Sequence, residues 1–181
     1  MLNVRGKKIE VLFPAEAIAR RNLELAKEIA SRKFRNLLVV SVLKGSFIFA
    51  ADLIRAMHGA GLSPEIEFIL ISSYGTGTSS GGVKILRDID ASVEGRDVLL
   101  IDDILESGKT LKFTRDLLLK RGAGSVHIAV LLDKKRRRQT GLEPDFTGFE
   151  CPDCFVVGYG MDAGHFFREL PFVGVIEEDA G

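Results

Sequence analysis

With 181 residues the chain is long enough for one domain with a proper buried core. Its 25 basic and 25 acidic residues cancel, so no global field draws it to nucleic acid or to an anionic membrane. Its apolar runs fall well short of the roughly 20 residues that span a bilayer. Met1–Lys8 lacks the apolar core of a secretory signal, and a soluble, cytoplasmic protein is expected.

In chain order, Ile9–Phe13 reads as a short strand, and Pro14 stands where a first helical residue often does. From Ala15 to Lys33, Ile18, Leu25 and Ile29 trace one helical face, the pattern of a packing helix without chemistry. Asn36–Leu43 is a continuous apolar run that delivers Lys44-Gly45-Ser46 ahead of a helix over Phe47–His58. In open α/β sheets ligands sit at the carboxyl ends of strands, so Lys44 points at an anion or is a plain surface lysine. Pro64–Ile71 is the next strand. It runs into a Ser/Gly-rich stretch that returns at Val83–Leu86, and a loop of that length is functional or a flexible hairpin.

Asp97–Leu111 carries the strongest signal. Val98–Ile101 has the continuous apolar character of a strand buried in a parallel sheet, and it ends in Asp102 and Asp103. In the turn Glu106-Ser107-Gly108-Lys109-Thr110 the glycine permits close backbone approach, the hydroxyls can donate, and the first N–H groups of the following helix lack helical partners. Those donors and the helix dipole favour a phosphate. The aspartates suit ribose hydroxyls, a hard cation such as Mg²⁺, or both. A P-loop would need glycine where Asp103 stands.

Leu111, Phe113, Leu117 and Leu118 form the buried face of the next helix, which Gly122 stops. Ser125–Leu132 is another strand and ends in the charge run Asp133–Arg138. Without interleaved aromatics or a net positive charge, that run reads as a solvated loop rather than an RNA patch. Cys151 and Cys154 form a Cys-x-x-Cys with no second ligand pair, and His58, His127 and His165 are scattered. Two free thiols in a reducing compartment are expected, not a zinc or redox site.

The Asp97–Leu111 stretch resembles the phosphoribosyl-pyrophosphate signature of type I phosphoribosyltransferases. Val42-Leu43-Lys44-Gly45-Ser46-Phe47, Leu131-Leu132-Asp133-Lys134, Phe155-Val156-Val157-Gly158-Tyr159-Gly160-Met161-Asp162 and Phe167-Arg168-Glu169-Leu170-Pro171 resemble the bacterial-type hypoxanthine-guanine phosphoribosyltransferase family, a likeness running from about residue 9 to residue 176. The resemblance implies an α/β fold, a mostly parallel twisted sheet flanked by helices. It implies a core over about 14–140, a small hood from about 1–13 and 141–181, and a mobile lid over 72–83 that includes Ser73 and Tyr74.

The implied activity is purine salvage: transfer of the 5-phosphoribosyl group of phosphoribosyl pyrophosphate to N9 of hypoxanthine or guanine. By resemblance Glu106, Ser107, Gly108, Lys109 and Thr110 hold the 5′-phosphate, and Lys44, Gly45 and Arg168 hold the pyrophosphate. Asp102 and Asp103 meet the ribose and Mg²⁺, and Asp162 meets a second Mg²⁺. Phe155 stacks on the 6-oxopurine, main-chain groups near Val156 and Asp162 read its edge, and Lys134 donates to its O6. For Lys134 and Arg168 a structural ion pair is the alternative. The resemblance also implies that the Leu43–Lys44 peptide can be cis and that the assembly is a homodimer or homotetramer. The chain departs from the family at Glu106, where the general base toward purine N7 is usually an aspartate, at Ser107 and at Ala163. A regulatory RNA-binding protein on the same fold is the alternative function, with no membrane partner in either case.

Overall fold

The computed structural model describes residues 1–73 and 82–176. In chain order its elements are β1 Leu2–Val4, β2 Lys7–Phe13, α1 Ala15–Ser31, β3 Leu38–Leu43, α2 Phe47–Gly59, β4 Glu65–Ser73, β5 Val83–Arg87, β6 Asp97–Leu105, α3 Lys109–Lys120, β7 Ser125–Asp133, β8 Phe146–Glu150, β9 Val156–Val157 and β10 Val173–Ile176. Six strands make the larger sheet in the order β5-β4-β3-β6-β7-β8, and every neighbouring pair is parallel except β4 with β5.

The continuous apolar runs of β3 and β6 follow from burial on both faces of this sheet. Val39, Leu99 and Ile101 point to one side, where they meet Ile18, Leu25 and Ile29 of α1 and Phe49, Leu53 and Met57 of α2. Leu38, Val40, Val98 and Leu100 point to the other side and meet Leu111 and Leu118 of α3. Each of these larger side chains, once out of water, contributes about 1.5–3 kcal/mol to the hydrophobic term.

Three elements differ from the sequence expectation. β6 does not stop at Ile101 but carries Asp102 and Asp103 within the strand to Leu105. Its ladder with β7 continues through Ile104↔Leu132 and Leu105↔Asp133, and fully buried Leu105 keeps it in place. α1 ends at Ser31 because Arg32 is already extended. Phe146–Glu150, placed with the hood by the sequence reading, pairs with β7 in the larger sheet.

A smaller sheet, β1-β2-β10-β9, joins the two ends of the described chain. It packs Ile9, Val157, Phe167 and Leu170 over its own small core. Tyr159 ties this layer to the helices: its hydroxyl donates to Asp52 Oδ2 of α2 at 2.6 Å and accepts from Asn22 Nδ2 of α1 at 2.9 Å. Burial, with the Asp52 carboxylate alongside, pushes the phenol well above its ordinary value and keeps it a donor. Removing that hydroxyl leaves the buried Asn22 amide short of a partner, while half-buried Asp52 keeps its pair with Arg55. Tyr159→Phe is therefore expected to lose about 1–3 kcal/mol of stability, read as a lower midpoint in urea unfolding with an unchanged slope.

Candidate active site

The turns after β3, β6 and β7 open on one cleft of about 1210 Å³, whose far wall is the chain around β9. Lys44, Gly45, Asp103, Glu106, Lys134, Phe155, Asp162 and Arg168 all line it. A smaller hollow of about 290 Å³ shares Lys44, Gly45, Asp103 and Glu106 with it and adds Asp102, Ser107, Gly108 and Thr110. The structure thus brings most of the sequence-predicted residues to the carboxyl ends of the parallel strands.

After β3 the Leu43–Lys44 peptide is cis, as the resemblance implied. The Ser46 hydroxyl bonds back to the Val42 carbonyl and meets Ser41 Oγ at 2.8 Å, which fixes the turn. Gly45 is required by close approach: a Cβ there would overlap the Asp103 carboxylate. Gly160, at φ 101°, comes in from the β9 segment, and a Cβ on it would overlap the Gly45 carbonyl.

At the tip of β6, Asp102 is buried and Asp103 half-buried. Asp102 Oδ1 accepts the Asp103 N–H at 3.0 Å and Asp103 Oδ1 accepts that of Ile104 at 2.9 Å. Desolvation, and then the neighbouring Asp103 charge, raise the Asp102 pKa well above the carboxylate range. Desolvation raises Asp103 as well, opposed by the hydrogen bonds it accepts and by the more distant charge of Arg168. Among the described residues neither carboxylate has an ion-pair partner, and no group of three or more His, Cys, Asp or Glu is preassembled as a metal site. Two hard oxygen donors short of positive charge fit a hard divalent cation.

The turn below them begins α3 at Lys109 behind Gly108, whose φ of 80° needs glycine. No side chain caps this helix start, so its first N–H groups face the small hollow with only Ser107 Oγ, 3.3 Å from Lys109 N, nearby. The turn is braced from behind by Gln139 N on the Ser107 carbonyl at 3.0 Å and by Arg138 Nε on the Glu106 carbonyl at 3.1 Å.

Across the cleft the Lys134 side chain is only 5% exposed, and its Nζ donates to the Cys154 carbonyl at 2.8 Å. Glu106 Oε1 lies 3.7 Å from that Nζ. Phe155 is 55% exposed, a large apolar ring left open to the cleft, and Val156 beside it is buried. Arg168 pairs with Asp162 at 2.8 Å and donates to the Gly160 carbonyl at 2.6 Å. Both lysine and arginine are thus ion-paired, and both pairs lie in the cleft wall. Neither cysteine is in a disulfide, and burial pushes the Cys151 thiol up to about 11.

The reading of Asp133–Arg138 as a solvated loop is corrected. Lys135–Arg137 form a 3₁₀ turn, and the Arg138 side chain is buried, bonded to Asp133, the Leu142 carbonyl and the Glu106 carbonyl. Arg137 and Asp153 line the cleft and pair with each other at 2.5 Å, and sequence reasoning passed over both. Their opposite charges were visible, but nothing in the sequence brings 137 to 153. The lid expected over 72–83 falls largely outside the described residues: β4 ends at Ser73, and Tyr74 is not among them.

Residues 9–163 match the family model of the phosphoribosyl transferase domain. The chain belongs to the phosphoribosyl transferase family. It is 47% identical to the hypoxanthine-guanine phosphoribosyltransferase of Aquifex aeolicus over 98% of this chain and 100% of that one. It is 45% identical to the enzyme of the same name from Bacillus subtilis, over 93% of each chain. A solved hypoxanthine phosphoribosyltransferase from Staphylococcus aureus superposes with a TM-score of 0.86 at 40% identity, covering 93% of this chain and 91% of that one. The six-stranded mixed sheet flanked by helices is the fold of the type I transferases, and membership implies a divalent metal cofactor.

The two adjacent acids cost the metal-free phosphoribosyl transferase fold stability. Because the folded Asp102 pKa is raised, the folded chain holds its proton longer than the unfolded chain does. Stability from this group is complete below the unfolded carboxylate value and is lost as pH rises through the folded one. Asp102→Asn is expected to raise the unfolding midpoint in chelator at neutral pH, by about 1 kcal/mol or more in stability. The same variant should lose most of the stabilisation that wild type gains from a divalent cation with a polyphosphate, checked by melts at several pH values.

Proposed function

We propose that this chain is a hypoxanthine-guanine phosphoribosyltransferase working in purine salvage, with phosphoribosyl pyrophosphate and a 6-oxopurine base as substrates and Mg²⁺ as its cation. One observation carries the reading: an exposed aromatic beside a buried lysine lines the large cleft, and the adjoining hollow that shares Lys44, Gly45, Asp103 and Glu106 with it holds an uncapped helix start and a carboxylate pair without an ion-pair partner among the described residues. Base, phosphate and ribose need those three surfaces in that order.

In this reading the helix start over Ser107–Thr110 takes the 5′-phosphate through N–H groups and hydroxyls, and Asp102 and Asp103 accept from the ribose hydroxyls. Lys44, the Gly45 backbone and Arg168 hold the pyrophosphate through charge-assisted bonds. Asp102, Asp103 and Asp162 are the carboxylates that would hold Mg²⁺, and the ion would supply charge neutralisation for the departing pyrophosphate. Phe155 stacks on the purine, and Lys134, a donor without acceptor capacity, selects O6 over the amino group of adenine. N9 bonds to C1′ as the C1′–oxygen bond to pyrophosphate breaks, and Glu106 takes the proton from N7.

The division into a core, with Phe146–Glu150 counted in its sheet, and a hood from both termini belongs to the same proposal, as do a homodimer or homotetramer and a cytoplasmic location. The unpaired thiols and the absence, among the described residues, of any helix long and apolar enough to cross a membrane agree with that location. The RNA-binding alternative finds no support in the relatives, and the basic run it relied on is largely paired internally.

Purified protein with Mg²⁺ and phosphoribosyl pyrophosphate should convert hypoxanthine or guanine to the nucleotide and leave adenine untouched. No product from hypoxanthine, guanine or xanthine would overturn the proposal. Phe155→Ala should raise KM for the base about 10- to 100-fold with little change in kcat. Glu106→Gln should lower kcat about 100-fold or more while moving KM for phosphoribosyl pyrophosphate far less; an unchanged kcat would remove Glu106 from the role of base.

A further inference from the structure

We infer that Arg137 is a positioning residue for this transferase: anchored on Asp153, it holds the Glu106 carboxylate in place at the base side of the cleft. The inference rests on the reading of Glu106 as general base. A glutamate there carries one methylene more than the aspartate usual in the family, hence one more torsion to restrain before its carboxylate can meet a purine nitrogen.

The restraint is laid out in the cleft wall. Arg137 Nη1 lies 3.3 Å from Glu106 Oε1, while its Nε lies 2.5 Å from Asp153 Oδ1. Lys134 Nζ approaches the same Glu106 oxygen at 3.7 Å and is fixed on the carbonyl of Cys154, the residue after Asp153. Both cations that meet Glu106 are therefore anchored to one turn, which is itself tied down by Cys151 N on the Asp133 carbonyl at 2.9 Å. The backbone of Glu106 is held separately, through Arg138 Nε. The planar guanidinium can serve two carboxylates at once from a fixed fork, which a lysine ammonium does less well.

Stability gives no sufficient reason for this arrangement. The Arg137 and Glu106 side chains are 57% and 40% exposed, and such exposed pairs contribute little to folding. A purely structural pair would act on the melt alone. A positioning pair acts on kcat, and only through Glu106.

A double-mutant cycle in kcat and KM separates these roles, using the full chain with Mg²⁺, phosphoribosyl pyrophosphate and hypoxanthine. Arg137→Ala should lower kcat about tenfold, leave KM for phosphoribosyl pyrophosphate within about twofold, and leave the melting temperature unchanged. In a Glu106→Asp background, where the shorter side chain does not reach the guanidinium, Arg137→Ala should change kcat by less than about twofold. Arg137→Lys should recover part of the loss, and Asp153→Asn, which frees the anchor without touching Arg137, should lower kcat in the same direction. Lys135→Ala removes a positive charge from the same turn, where Lys135 pairs with Glu150, and should do nothing to either constant.

An equal effect of Arg137→Ala in both backgrounds would overturn the inference, as would a rise in kcat or an effect confined to KM for the base. If wild-type protein turns over none of the bases, the proposed function fails and this inference fails with it. Turnover with additive variants overturns the inference alone.

Discussion

Three stretches of backbone meet at Gly45, and the geometry of the cleft depends on that contact. The Asp103 carboxylate lies where a Cβ of residue 45 would be, and the Gly45 carbonyl lies where a Cβ of residue 160 would be. The turn after β3, the tip of β6 and the segment leading to Arg168 are thus registered by the atoms two glycines lack. Glycine costs backbone entropy, roughly 0.5–1 kcal/mol relative to alanine in regular structure. Here that cost secures an approach no other residue allows, with Tyr159 one residue away bonding the same segment to both flanking helices.

The two sides of the cleft differ in electrostatic state. Around Asp102, Asp103 and the start of α3, charges and donors lack complements among the described residues: the two acids have no ion-pair partner, and the helix start has no side-chain cap. Across the cleft, Lys134, Glu106, Arg137 and Asp153 alternate in sign along one chain of contacts. One side of the cleft thus carries a local charge imbalance, whereas the other is a wall already neutralised from within. The Asp102 pKa is raised first by burial and then by the neighbouring Asp103 charge.

Most of the scaffold was legible because its signals are local. The two-sided burial of β3 and β6 shows as uninterrupted apolar runs, Gly108 marks the turn before α3, and the acids after Ile101 announce a site. What escaped depends on partners far apart in the chain. β6 outlasts its apolar run because β7 continues alongside it. Arg138 looks like surface charge until Glu106, 32 residues earlier, turns out to offer its carbonyl. Arg137 and Asp153 are each unremarkable alone and meet only because β8 returns the chain beside β7. Glu106 stood out in the sequence for what it replaces, and the fold adds what its extra length reaches.

The small sheet has a consequence for the order in which the molecule is completed. β2 is made before every other described strand but β1, and β10 after all of them, yet β2 is hydrogen-bonded on one edge to β10, which in turn carries β9. The elements that hold Asp102, Asp103 and α3 can assemble from β3, β6 and β7 while synthesis is still under way. The strand beside Phe155 gains its ladder only once Val173–Ile176 has been made. The β9–β10 ladder closes over a short stretch, but the β2–β10 ladder beside it spans nearly the whole described chain, and such non-local pairing forms slowly. The acidic strand tip and the helix start can thus take shape from neighbouring elements, whereas the cleft wall that carries Phe155 waits for β10.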